Sequence, residues 1–259
     1  MPRGKLIPAI LVTCLILAAC DSSPSKSGPG SSQKVPTPAE KKAQYLEGLF
    51  ARRSLASDAL GDLTSSLPDR VWLTEAACDS GKISVKGRAP SNNLVADYLS
   101  RLEGSPSLEN VVLRSSAMRT VRGRESQEFA IEAAVRGAGA APAASGLPSA
   151  ARLKELEKAL PAGPDNAGMI RELQRLARDA GLQMTKFAPG AQVQGEFTST
   201  LPIAIEVLGG PKELGRYLED LAGLPRLWVV DRFSFKAVSA DDPRSEIRAS
   251  ITARTYFAR

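Results

Sequence analysis

The chain has 259 residues, enough for one large domain or two small ones, with 43% apolar content and 24% charged residues. That balance describes a globular protein rather than a disordered one. Its formal charge of +6 is a weak basic excess, and no Lys/Arg stripe interleaved with aromatics points to nucleic acid. Histidine is absent, which removes the commonest general base, the commonest metal ligand, and any Ser-His or Cys-His nucleophile pair.

Arg3 and Lys5 open the chain, an apolar run follows from Leu6 to Ala19, and Leu17-Ala18-Ala19-Cys20 closes it. Basic, apolar and small-residue regions in that order make an export signal. The run is about 14 residues, short of the roughly 20 that a membrane-crossing helix needs. Its ending resembles the lipobox, whose cysteine is acylated and becomes the first residue of the mature chain. Residues 1–19 are therefore expected to be a lipoprotein signal peptide, and Cys20 the lipidation site. Loss of Arg3 and Lys5 lowers the charge to about +4. Asp21 resembles a signal for retention in the inner membrane, so a lipoprotein facing the periplasm from that membrane is expected. Cys14 leaves with the signal, so Cys78 is the lone remaining thiol. It can form no internal disulfide, and its place in a predicted strand reads as a buried, inert side chain.

Residues 20–38 are mostly Ser, Pro, Gly, Lys and Thr. Too little there can be buried, and the stretch reads as a flexible tether of order 25 Å. From about Ala39 to Leu67 one helical stretch is expected, with Tyr45, Leu46, Leu49, Phe50, Ala56, Leu60, Leu63 and Leu67 at helical spacing. Pro68 stops it. Val71–Ala77 and Lys82–Arg88 read as strands joined by a turn at Asp79-Ser80-Gly81. A helix capped by Ser91 and ended by Gly104 follows, then strands near Val111–Arg114 and Phe129–Val135.

Residues 137–150, rich in Gly, Ala and Pro, read as a linker between modules at 39–136 and 151–259. The second module repeats the order of the first. A helix at Ala167–Ala180 capped by Gly181 precedes strands at Leu182–Phe187 and Leu201–Val207. A helix at Lys212–Ala222 precedes strands at Leu227–Lys236 and Ile247–Phe257. Asp241-Asp242, before Pro243, reads as a solvent-facing turn.

Tyr98-Leu99-x-x-Leu102-x-Gly104-x-Pro106-x-Leu108 matches Tyr217-Leu218-x-x-Leu221-x-Gly223-x-Pro225-x-Leu227. Ile83 and Val85 match Ile203 and Ile205 after a shift of one. A duplicated module explains this spacing. The expected class is α+β: two tandem ferredoxin-like αββαββ modules, each a small antiparallel sheet with helices on one face.

Two family resemblances rest on specific residues. Leu60-Gly-Asp-Leu-Thr-Ser-Ser-Leu-Pro-Asp-Arg-Val-Trp-Leu-Thr74, Gly87-Arg-Ala-Pro-Ser91, Leu102-Glu-Gly-Ser-Pro106 and Glu109-Asn-Val111 resemble PilN. Gly181-Leu-Gln-Met-Thr-Lys-Phe-Ala-Pro-Gly190, Leu201-Pro-Ile203 and Leu214-Gly-Arg-Tyr-Leu-x-x-Leu-Ala-Gly-Leu-Pro-Arg226 resemble PilO. These resemblances imply a non-enzymatic periplasmic scaffold of the type IV pilus inner-membrane alignment complex, with no cofactor. They imply a PilP-like protein and the secretin as partners. A PilM-like protein would be reached only indirectly, because the family's cytoplasmic tail and transmembrane helix are not found in this sequence. A homo- or heterodimer fits the same picture, and so does the equivalent part of a type II secretion system. A free-standing binding lipoprotein is a further class. An enzyme would need a carboxylate pair or a Ser-Lys dyad, and neither has a motif here. On the scaffold reading the functional surface is an interface between exposed apolar edges, with Trp72 and Trp228 as candidate anchors. Either tryptophan could equally be an ordinary core residue.

Overall fold

The structure, a computed structural model, describes residues 37–121, 124–138, 150–158, 160–161, 163 and 165–258. Cys20, the export signal, the tether up to residue 36 and most of the 137–150 linker lie outside the described residues.

The first module runs α1 (Pro38–Ala51), α2 (Leu55–Ser65), β1 (Trp72–Asp79), β2 (Lys82–Ala89), α3 (Asn92–Glu103), β3 (Leu108–Val121) and β4 (Arg124–Val135). The second runs α4 (Ala150–Lys158), α5 (Asn166–Ala180), β5 (Gln183–Pro189), β6 (Val193–Gln194), β7 (Thr198–Gly209), α6 (Pro211–Gly223), β8 (Trp228–Ala237) and β9 (Ile247–Ala258). Apart from α1, α4 and the short β6, each half is the expected αββαββ unit. Strand order is β3-β4-β2-β1 in one and β8-β9-β7-β5 in the other, all pairings antiparallel. This is the ferredoxin-like arrangement with its last helix and strand moved to the front.

The two sheets are one sheet. Strand β1 pairs antiparallel with β8, so the strands run β3-β4-β2-β1-β8-β9-β7-β5, with β6 beside β7. Alternation of side chains along each strand then sets two faces for the whole sheet. The row Val85, Ala76, Phe235, Ala249 and Val207 crosses both halves in register and is buried throughout. Helices α2, α3, α5 and α6 cover that face, and their apolar residues join it in a single core. On the opposite face Lys82, Ser84 and Lys86 of β2, and Arg248, Ser250 and Thr252 of β9, stand in solvent.

The expected helix from Ala39 to Leu67 is two helices, broken at Arg52-Arg53-Ser54, and they serve different cores. Helix α1 is tightly started: Thr37 accepts from the Glu40 backbone, and Glu40 accepts from Thr37, a capping box followed by Pro38 at the first helical position. Its Leu46 and Leu49 pack with Leu156 and Leu160 of the second half, and with Leu227, Val229 and Tyr256 on the otherwise open face. Lys42 pairs with Glu157 of α4 at 2.6 Å. Helix α2 sends Leu60 and Leu63 to the other core. By packing, α1 belongs to the second module, although sequence places it with the first.

Candidate functional site

The seam between modules is the feature that the fold builds from both halves. Five residue pairs form it: Glu75–Lys236, Ala76–Phe235, Ala77–Ser234, Cys78–Phe233 and Asp79–Arg232. Its buried side sets small residues on β1 against the rings of β8. Ala76 and Cys78 leave the room that Phe235 and Phe233 fill, which is close packing by size matching. Its solvent side carries opposite charges across the strands, with Arg232 and Asp79 at 2.8 Å. Such cross-strand pairs help to fix register.

Cys78 is 5% exposed, and burial pushes its thiol up to about 11. The group is protonated and apolar at neutral pH, as its place in a strand suggested.

Three further contacts close the seam. Trp72, at the start of β1, donates its indole N–H to the Ala240 carbonyl at 3.1 Å. Arg88 of β2 pairs with Asp241 and lies 3.6 Å from Glu128. Both therefore grip the turn between β8 and β9. Asp241-Asp242 is a turn, as expected, but Asp241 faces Arg88 of the other module. Arg53, in the break between α1 and α2, donates to the Leu224 carbonyl at the end of α6. Burial lowers its pKa. On the helix layer α2 packs on α6, and between them opens a cleft of about 680 Å³ lined by Asp58, Asp62, Arg136, Lys212, Arg216 and Glu219.

The PilN-like motif residues have physical reasons in this geometry. A Cβ on Gly87 would sit 2.4 Å from the Phe129 ring and 2.7 Å from the Trp72 carbonyl, so only glycine fits. Arg88 makes the seam contact, and Ala89 is fully buried. Asp62 accepts from Ser105, and from both the backbone and the hydroxyl of Ser107, so α2 holds the turn between α3 and β3. In the PilO-like stretch Gly181 ends α5 with φ of 88°, the left-handed cap that glycine adopts freely.

Of the candidate anchors, Trp72 is half-buried and bridges to the second module. Trp228 is 1% exposed, inside the shared core and upstream of the β8 stretch that pairs with β1. Arg53, Phe233 and Phe235 were not singled out from sequence, while Arg88 entered only within a PilN-like motif and Asp241 only as a solvent-facing turn. The small-residue run Ala76-Ala77-Cys78 facing an aromatic strand was the signal available for the seam. Among the described residues no group of three His, Cys, Asp or Glu could hold a metal ion, and no helix is long and apolar enough to cross a membrane.

Two stretches of the chain match different family models. Residues 58–135 match the family model of the fimbrial assembly protein PilN. Residues 165–259 match that of the type IVa pilus alignment subcomplex PilO C-terminal domain. The type IV pilus inner membrane component PilO of Pseudomonas aeruginosa is 30% identical over 113 residues, covering 41% of this chain and 54% of that protein. The chain thus spans about half the length of that curated relative. The crystal structure of the type 4 fimbrial biogenesis protein PilO from Pseudomonas aeruginosa is 28% identical, covers 42% of this chain and 85% of its own, and superposes with a TM-score of 0.36. A structure of the core region of PilO from the same organism is 29% identical over 36% of this chain and 93% of its own, with a TM-score of 0.33. One stretch of the chain thus matches the PilN model and a later one the PilO C-terminal domain model, and the second half is similar to the PilO of Pseudomonas aeruginosa.

Proposed function

We propose that this chain is a non-enzymatic scaffold of the type IV pilus assembly machinery, a PilN/PilO-type pair in one lipid-anchored polypeptide. The observation that carries the reading is the seam: a PilN domain and a PilO domain share one sheet and one core through β1 and β8. Joining the two in one chain raises the effective concentration of each for the other toward millimolar. A five-pair seam then suffices to keep them together. Trp72, Arg88 and Asp241 act as its anchors, and Trp228 supports it from within the core.

The homologue's place as an inner membrane component supports an inner-membrane site for this chain. Cys20 supplies the anchor, with its lipid in the membrane and the folded part in the periplasm. The partners are a PilP-like protein and the secretin, with a PilM-like protein reached through them. Twitching motility is the expected readout.

The test is gentle detergent extraction of a C-terminally tagged chain from its own cells, with co-purifying proteins identified by mass spectrometry. Recovery of pilus secretin and PilP-like proteins is expected. Recovery of type II secretion components instead, or of the chain alone, contradicts the pilus assignment. In parallel, Cys20→Ala is expected to release the protein into the soluble periplasmic fraction and to impair pilus assembly. Unchanged membrane retention in that variant would refute the lipid anchor.

A further inference from the structure

The repeat gives each strand of one module a counterpart in the other: β1 corresponds to β5, β2 to β7, β3 to β8 and β4 to β9. Within the chain the seam joins a β1-type edge to a β8-type edge. This is a head-to-tail contact, because the two surfaces differ. It leaves one edge of each type unused, β3 at one end of the sheet and β5 at the other.

The unused β3 edge is unlike an ordinary solvent edge. It is 14 residues long and contains no proline. It holds Val112, Leu113 and Met118 at 44%, 36% and 66% exposure, three of the six large hydrophobic side chains found exposed among the described residues. A long, apolar edge with unpaired backbone groups is a template for another strand.

Following the registers across both sheets shows what that strand would meet. Aligning Ile83 and Val85 with Ile203 and Ile205 places Ala77 in the position of Ala188, and Ser234 in that of Ser115. The seam pair Ala77–Ser234 thus has the counterpart Ala188–Ser115. The buried pair Ala76–Phe235 becomes Phe187–Ser116, with the large and small members exchanged, and Cys78–Phe233 becomes Pro189–Leu113. Size matching is kept at each position. The same operation sets α5 beside α3, the counterparts of α2 and α6.

We infer that a second copy of this chain docks its β5 edge on β3, repeating between chains the junction that β1 and β8 make within one. The contact is weaker than the internal seam for a visible reason. Gly190 donates to the Pro202 carbonyl at 2.8 Å. The nitrogen of Pro189, one residue earlier, therefore faces outward and has no hydrogen to give. Lys186 and a bulge between Met184 and Lys186 also mark β5 as an edge built to resist indiscriminate pairing. A head-to-tail contact of this kind propagates from copy to copy unless its rotation closes a ring.

The experiment uses two full-length copies with different tags, expressed together in the native host. One carries Ser115→Cys and the other Ala188→Cys, and membranes are treated with a mild oxidant. Cys78 is buried and does not compete. The mixed-tag disulfide is expected to exceed, several-fold, the dimer formed by either variant alone. Leu113→Asp is expected to abolish it, and Pro189→Val, which restores an outward donor, to increase it. Protease resistance equal to the parent's certifies that each variant is folded. A folded pair giving no mixed disulfide would overturn the inference. So would Ser115→Cys linking mainly to itself, which means two β3 edges meeting symmetrically, or a Ser115→Cys adduct with a different protein.

Discussion

The two modules share topology but treat their equivalent tyrosines differently. Tyr98 and Tyr217 stand at matching positions of α3 and α6, both fully buried. The Tyr98 hydroxyl donates to the Leu63 carbonyl at 2.9 Å, fastening α3 to α2 inside the first module. The Tyr217 hydroxyl is buried with no hydrogen-bond partner among the described residues. Helix α6 therefore lies at the boundary between modules without the tyrosine tie that fastens α3, held there by packing and by the Arg53 contact with the Leu224 carbonyl. The edges differ in the same sense. Strand β8, closed by β1, presents Phe233 and Phe235 to the core, while its counterpart β3 offers Leu113 and Ser116 to solvent-accessible space. One ancestral strand position has become a core element in one half and an edge in the other.

That contrast can be broken most forcefully at Phe233. Phe233→Ala opens a cavity against Cys78 and is expected to cost about 3–5 kcal/mol, as large-to-small core substitutions do. Leu113→Ala, at the equivalent position of the free edge, is expected to cost less than about 1.5 kcal/mol because little is buried there. Urea denaturation of the two variants checks the pair, and equal losses would contradict the distinction between edges.

Cys78 reports the same seam chemically. Its thiol is raised from 9.0 to about 11, so the folded thiolate fraction at pH 8 is about 100-fold below that of the unfolded chain. Alkylation by iodoacetamide should be correspondingly slow until denaturant is added. The pH dependence follows from the sign of the shift. The folded state binds this proton more tightly, so the contribution is fully present below about pH 9 and is lost as pH rises through about 11. In Cys78→Ala that loss should vanish from a plot of stability against pH.

The tyrosines sharpen the comparison further. Tyr98→Phe leaves the Leu63 carbonyl buried and unpaired, at an expected cost of about 1–3 kcal/mol. Tyr217→Phe removes a hydroxyl without a partner among the described residues, and is expected to be neutral or slightly stabilising. Thermal unfolding of both variants distinguishes them. The smallest effect is at the surface. Asp79→Ala breaks the exposed pair with Arg232 and should change stability by less than about 1 kcal/mol, with no change of register.

Much of the architecture was legible in the sequence because it rests on local chemistry. Alternation in Ile247–Phe257, the stop at Pro68 and the left-handed cap at Gly181 each follow from the residues themselves, as does the repeat around Tyr98 and Tyr217. The break at Arg52-Arg53-Ser54 was not legible. The apolar spacing of α1 and α2 continues through it nearly in phase, and only tertiary packing sends Leu46 and Leu60 to different cores. The seam was hidden for a related reason. Period-two patterning says which side chains share a face, but it is silent about which strand lies next in the sheet. Arg88 and Asp241 look like surface charges until the seam brings them together. The candidate anchors divide along the same line: Trp72 reaches the other module, and Trp228 fills a core.

Strands β1 and β8 are paired interior strands of a single sheet. Amide hydrogen exchange on the full chain, resolved for residues 75–79 and 232–236, tests that pairing most directly. Protection comparable to β2 and β9 is expected there and, in chain dilute enough to be monomeric, well above that of the outward-facing amides of β3 and β5. Exchange in the seam as fast as at those free edges would mean two modules tethered side by side, and would contradict the shared sheet.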